Sequence, residues 1–231
     1  MPDQPVKDGG WPLRAPARRA CHSVQQAVSP ASAVRPNDGG TPVFVITGPS
    51  GAGKGTLISA LLKRVPLLEV AVSATTRPRR PGEEEGREYW FLTDELFRAR
   101  IAADQFLEHV EYVSGKRYGT LRSELDRIRS HARVCVLELE LDGAACVQNE
   151  VPGAVTIFVS ADVDELERRL RERATESTGE IEERIALART QLEQAHRFRY
   201  VVRNDDVGRA TAVLVSIVKC ELRLAGTMAS G

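Results

Sequence analysis

The chain has 231 residues, 42% of them hydrophobic, with 32 basic and 32 acidic side chains and a formal net charge of zero. That length and apolar share allow one sizeable core with small inserted subdomains, and the balanced charge argues against nucleic acid or a charged membrane surface as partner. No apolar run is long enough to cross a bilayer, and the four scattered cysteines (Cys21, Cys135, Cys146, Cys220) include no C-x-x-C pair, which reads as reduced thiols of a cytoplasmic protein.

Residues 1–40 are rich in Ala, Pro, Arg and Ser, hold no sustained periodicity and lack the apolar segment of a secretory signal. They read as a disordered tail, with a start codon chosen too far upstream as the alternative. From Thr41 the pattern changes. Val43 to Ile46 is a β-branched apolar run, the form of a buried parallel strand, and Leu57, Ile58, Leu61 and Leu62 follow at helical spacing. The segment 73–120 breaks the alternation: it is rich in arginine, carboxylates and aromatics, with Pro78, Pro81 and Gly82 near its start. We read it as an inserted substrate-binding subdomain.

Further strands are predicted over Val134 to Leu141, Val155 to Val159 and Tyr200 to Val202. A helix is predicted from Asp162 to Arg173, with Asp162 and Glu165 spaced as a capping box. The next follows Gly179, with Ile181, Ile185, Ala188, Leu192 and Ala195 as its buried stripe, and the last covers Val207 to Leu224. The charged stretch 161–196 suits a mobile lid. Strands alternating with helices give an α/β class: a parallel sheet flanked by helices.

Between the first strand and helix lies Gly48-Pro49-Ser50-Gly51-Ala52-Gly53-Lys54-Gly55-Thr56. This is the context of a P-loop, whose glycines let backbone N–H groups surround phosphates while the lysine reaches the β- and γ-phosphates. The strict pattern has Ser or Thr directly after the lysine, where this chain has Gly55. Either Thr56, one place on, supplies the hydroxyl to Mg²⁺, or the ion is held largely through water. The bland alternative is a Gly-rich turn, and five matched positions with correct flanks weigh against it. The motif specifies nucleotide phosphate binding and leaves the reaction open.

Val72-Ser73-Ala74-Thr75-Thr76-Arg77-Pro78-Arg79-Arg80-Pro81-Gly82-Glu83, then Tyr89, Phe106-Leu107-Glu108 and Tyr118-Gly119-Thr120, resembles the guanylate kinase family over essentially all of residues 41–220. The resemblance implies a P-loop NTPase fold with core 41–72, 121–160 and 197–231, a GMP-binding insertion 73–120 and a lid 161–196. It implies transfer of the γ-phosphate of ATP to GMP, and to dGMP, with Mg²⁺, in guanine nucleotide supply. No nucleic acid, membrane or obligate protein partner is implied. Arg77 and Arg80 offer donor forks to a phosphate dianion, with Tyr89 and Tyr118 adding phenolic donors. In the family the position of Glu108 accepts the N–H groups along one edge of guanine, while Ser73 and Thr120 donate to O6 or N7.

Leu137 to Gly143 resembles the family's E-I-D-V-Q-G, with Glu140 in place of the Asp that helps hold the guanine amino group and Asp142 in place of Gln. Strand alternation would put Glu138 and Glu140 on one face. The arginines matching Arg169, Arg173 and Arg184 converge on the ATP phosphates in the family, and Asn204 matches a position beside the adenine. Ala174 replaces the usual Gly of the lid. Two rival readings are a P-loop kinase of sugar phosphates, which would not need Ser73, Glu108 and Thr120 together, and a non-catalytic binding module, which typically has a degraded ATP loop.

Overall fold

Side-chain alternation builds the central sheet of the computed structural model, which describes residues 41–112, 115–173 and 178–227. The expected tail over 1–40, and Ala174, lie outside the described residues. In chain order the elements are β1 (Phe44–Thr47), α1 (Lys54–Arg64), β2 (Leu68–Val70), β3 (Ala74–Thr75), β4 (Trp90–Phe91), α2 (Asp94–Ala102), β5 (Phe106–Glu111) and β6 (Arg117–Leu121). They continue with α3 (Arg122–Ser130), β7 (Val134–Glu138), α4 (Leu141–Glu150), β8 (Val155–Ser160), α5 (Val163–Arg173), α6 (Thr178–Glu193), a 3₁₀ turn (Gln194–Arg197), β9 (Tyr200–Arg203) and α7 (Val207–Leu224).

Strands β2-β7-β1-β8-β9 form the central sheet in that order, and every pairing is parallel. Phe44, Ile46, Val136, Ile157 and Val159 face one side, where Leu57 and Leu61 of α1 and Leu214 and Val218 of α7 cover them. Val45, Cys135, Leu137 and Phe158 face the other, under Leu125 and Ile128 of α3 and Ala144 and Val147 of α4. Apolar residues on both faces explain why these strands read as unbroken hydrophobic runs. The α/β class expected from the sequence is the observed one.

A second sheet, β4-β3-β6-β5, is formed within 73–121 and buries Ala74, Phe97, Phe106 and Leu121 beneath α2. Gly119 lies against the irregular register between Phe106 and Glu108, and a Cβ there would come within 2.6 Å of the Glu108 carbonyl oxygen. Helices α5 and α6 share a small cluster of Leu170, Ile181 and Ile185.

Two expectations need correction, and one element was not anticipated. The strand expected to reach Leu141 ends at Glu138: the Leu139 N–H still bonds the Ile46 carbonyl, and Glu140 then becomes the N-cap of α4. Glu138 and Glu140 therefore do not share a strand face. The Asp162/Glu165 capping box is replaced by ion pairs, Asp162 with Arg203 and Glu165 with Arg168 and Arg169. Finally, the short edge strand β2 escaped the sequence reading, because three residues carry too little periodicity. Cys135 and Cys220 are free thiols, as expected.

Leu214 is fully buried between α7 and the sheet. Leu214→Ala should lower the unfolding free energy by about 2–5 kcal/mol, measured by urea denaturation.

Candidate active site

The P-loop runs from the carboxyl end of β1 into α1. Gly48 has φ +143°, and a Cβ there would lie 2.2 Å from the Val159 carbonyl oxygen of β8. Only glycine permits that approach. The loop is propped from below by Asn204, 1% exposed, whose Nδ2 donates to the Ala52 carbonyl at 2.7 Å. Asn204, expected from the resemblance at a position beside the adenine, thus bonds the loop backbone.

Lys54 Nζ donates to the Gly48 carbonyl at 2.6 Å and to that of Pro49 at 3.3 Å. Arg169 reaches the same loop from α5, with NH1 donating to the Gly51 carbonyl and NH2 to the Asn204 carbonyl, both at 3.3 Å. Arg184 NH2 donates to Ser50 Oγ at 2.8 Å. Three cations that the sequence scatters over 130 positions thus meet at one loop. Arg173 belongs to α5, and its side chain lies outside those described. Thr56 is exposed on the first turn of α1, and a Cβ at the neighbouring Gly55 would meet nothing within 4 Å.

Glu138, which the sequence reading left without a role, ends β7 beside Ile46 of β1. Its side chain is exposed, yet the protein crowding it raises its pKa; Lys54 pulls it back, and Glu140 pushes it up again. All three charges therefore lie in one electrostatic neighbourhood. Its signal in the sequence was a carboxylate at the carboxyl end of a strand beside the P-loop strand, where Walker-B acids sit.

The second sheet carries the other group of residues. Glu108 and Thr120 are cross-strand partners, and Thr120 Oγ1 donates to Glu108 Oε1 at 2.8 Å. Ala74 pairs with Gly119 in antiparallel register, so Ser73 falls opposite Thr120 on the neighbouring strand. Glu108 is 7% exposed, and burial raises its pKa against the opposing pull of the Thr120 bonds. Its second oxygen lies toward Gly143 on the first turn of α4, where a Cβ would stand 3.0 Å away.

Arg77 lies with its guanidinium 5.2 Å from the Tyr89 ring centroid, and the Tyr89 and Tyr118 rings meet edge to face at 5.9 Å. Glu83, and to a lesser degree Tyr118, raise the pKa of Arg77. Glu83 is a second residue without a role in the sequence reading. It takes the Arg77 fork bidentately, at 2.7 and 3.0 Å, and accepts the Arg80 backbone N–H at 2.8 Å. The Arg80 side chain itself is exposed. Tyr112, also not anticipated, packs edge to face on Tyr118 at 5.2 Å. Its phenol is pushed up to about 12 by burial and then by Glu140, which places Glu140 near this cluster.

The chain is similar to known proteins over most of its length. The family model described as guanylate kinase matches residues 40–221. A guanylate kinase of Synechococcus sp. (strain JA-3-3Ab) is 44% identical over 177 residues, 76% of this chain and 81% of its own. One from Rubrobacter xylanophilus is 44% identical over 178 residues, 77% of this chain and 93% of its own. The crystal structure of guanylate kinase from Anaplasma phagocytophilum matches with a TM-score of 0.62 at 25% identity, covering 78% of this chain and 85% of that one. A model spanning most of the chain, with relatives at this identity, bears out the resemblance read in the sequence: the chain belongs to the guanylate kinase family.

Proposed function

We propose that the chain transfers the γ-phosphoryl group of ATP to GMP, and to dGMP, acting in the cytoplasm to supply guanine nucleotides. The observation that carries the acceptor assignment is Glu108. A buried carboxylate whose hydrogen-bond donors among the described residues come from Thr120 alone retains acceptor capacity, and guanine presents two N–H donors along one edge. Adenine would leave that carboxylate facing a lone pair, a mismatch that commonly costs a factor on the order of 10⁴.

The acceptor phosphate needs no general base, because a monophosphate with a second pKa of about 6 is largely dianionic at neutral pH. Arg77, Arg80, Tyr89 and Tyr118 are assigned to hold it in line. Arg77 does so by exchanging or sharing its Glu83 partner, which keeps the guanidinium oriented beforehand. On the donor side Lys54, Arg169, Arg173 and Arg184 are assigned to the ATP phosphates, where they offset charge spreading over the γ-phosphoryl oxygens. Lys54 gives up two neutral carbonyls to do this, a cheap exchange against phosphate anions. Gly48 to Thr56 supply the loop, and Asn204 keeps its shape.

The fit for Mg²⁺ rests on two oxygen donors near the loop, the exposed Thr56 hydroxyl and the Glu138 carboxylate. The ion suits one or two protein oxygens combined with substrate phosphates and water, and when bound it neutralises charge on those phosphates. Ser73 and Thr120 are assigned to the guanine oxygen and N7, and Glu140 to the guanine amino group. Glu140 stands at the N-cap of α4, and its added methylene lengthens the side chain that would make that contact.

A coupled ADP-release assay with ATP and GMP, dGMP, AMP, UMP, CMP and ribose phosphates tests the reading: GMP-dependent turnover is expected, and silence toward every acceptor would sink it. Lys54→Ala should lower turnover by roughly a hundredfold or more with the circular dichroism spectrum unchanged. Glu108→Gln should raise the KM for GMP while leaving that for ATP in place. The same variant should melt at a higher temperature at neutral pH. Burial raises the folded-state pKa of Glu108, so ionisation at neutral pH costs the native state stability, and the neutral amide removes that cost.

A further inference from the structure

Glu124 is a buried carboxylate outside the site described above. It lies on the first turn of α3 and is 3% exposed. Four donors converge on it. Oε2 accepts the Val72 backbone N–H at 2.9 Å and Arg127 NH2 at 2.9 Å; Oε1 accepts the Trp90 indole N–H at 3.1 Å and Arg127 Nε at 3.0 Å. Arg127 in turn donates NH1 to Glu69 on β2 at 2.5 Å. One carboxylate thus ties together the central sheet, the helix that leaves the second sheet, the segment that enters it, and its edge strand β4.

The position of those bonds gives them a consequence. Val72 immediately precedes Ser73, and Trp90 immediately follows Tyr89. The Ser73 carbonyl accepts the Trp90 backbone N–H at 2.9 Å, so the residue following Val72 is itself tied to Trp90. The indole is locked on its other side: a Cβ at Gly86 would come within 2.7 Å of it. Across the joint, Leu107 of β5 packs with Leu141 and Ala144 of α4, an apolar contact that resists separation but leaves the angle free. On the Glu124 side a cleft of about 370 Å³ opens beside Trp90, Glu124 and Arg127, bordered also by Glu85, Arg100 and Ser123. Directional polar bonds, rather than apolar contact, are what can set the angle there.

We propose that Glu124 is a positioning residue for the acceptor half of the site: its carboxylate holds the second sheet at the angle that aligns Ser73 and Tyr89 with the P-loop. Arginine and the other donors also hold its pKa below the usual carboxylate range against burial, so it is ionised at neutral pH and all four acceptor directions are available. An amide in its place keeps the shape but turns one pair of acceptor directions into donors, which cannot meet N–H groups.

The inference rests on GMP being the acceptor, and its test separates the two. Steady-state kinetics of the full chain are measured for wild type, Glu124→Gln and Trp90→Phe, varying GMP and ATP independently and recording Tm. Glu124→Gln is expected to raise the KM for GMP roughly tenfold, the scale of a charged hydrogen bond unmade, with kcat and the KM for ATP within about twofold. Trp90→Phe, which removes a single N–H donor and keeps a ring in the same packing, should shift the KM for GMP in the same direction by a smaller factor. Unchanged GMP kinetics in both variants overturns the role, as does a parallel loss of kcat and of both KM values tracking a lower Tm, the mark of a merely structural group. Should Glu124→Gln fail to fold, Trp90→Phe decides alone by the same criterion. A wild-type chain that turns over another monophosphate and ignores GMP overturns the acceptor reading and this inference together.

Discussion

The close approach of Gly48 to the Val159 carbonyl is the constraint on which the donor half of the molecule depends. A parallel sheet buried on both faces delivers β1 and β8 side by side, and the chain leaving β1 must turn against the neighbouring strand without a side chain to separate them. The loop that results points its backbone toward the carboxyl edge of the sheet, where ligands of open α/β sheets bind. Among the described residues, Lys54 from its own helix, Arg169 from α5, Arg184 from α6 and Glu138 from β7 gather about that turn. Asn204, buried beneath, keeps the loop from relaxing away from them.

The acceptor half is organised around charges that are costly until they are used. Glu108 is buried with its pKa raised, a state that natural proteins tolerate mainly where a ligand will complete the pairing. Arg77 is the complementary case, a cation already satisfied by a bidentate carboxylate and stacked near an aromatic ring. Holding the guanidinium in a fixed orientation before phosphate arrives reduces the ordering entropy of the bound state. On the proposed reading, the exchange of Glu83 for phosphate is a local step between two anions rather than a search by a flexible side chain.

The two halves meet at a joint with unlike sides. One side is apolar, through Leu107 and α4; the other is a carboxylate with four donors. Apolar contact is non-directional and holds surfaces together at many angles, whereas hydrogen bonds specify one. Placing the directional element at the points where the chain enters and leaves the second sheet lets a single side chain govern geometry some distance from itself.

Local pattern was enough for much of this. The P-loop with Lys54, the apolar runs of β1, β7, β8 and β9, the helix α7, and the grouping of Arg77, Tyr89, Glu108 and Thr120 in one inserted segment were legible in the sequence, because each is written in neighbouring positions. What escaped are bonds between distant ones. Glu124 meets Val72 across 52 positions and Asn204 meets Ala52 across 152, separations at which no periodicity survives. The end of β7 was misjudged because Leu139 and Leu141 continue the apolar alternation, while the turn into α4 is imposed by packing against β5 and the core. Sequence alone therefore determined the chemistry available and the class of fold. Tertiary structure alone decided which carboxylates are buried and which arginine each one holds, since burial and partner choice arise only when separate segments are brought into contact.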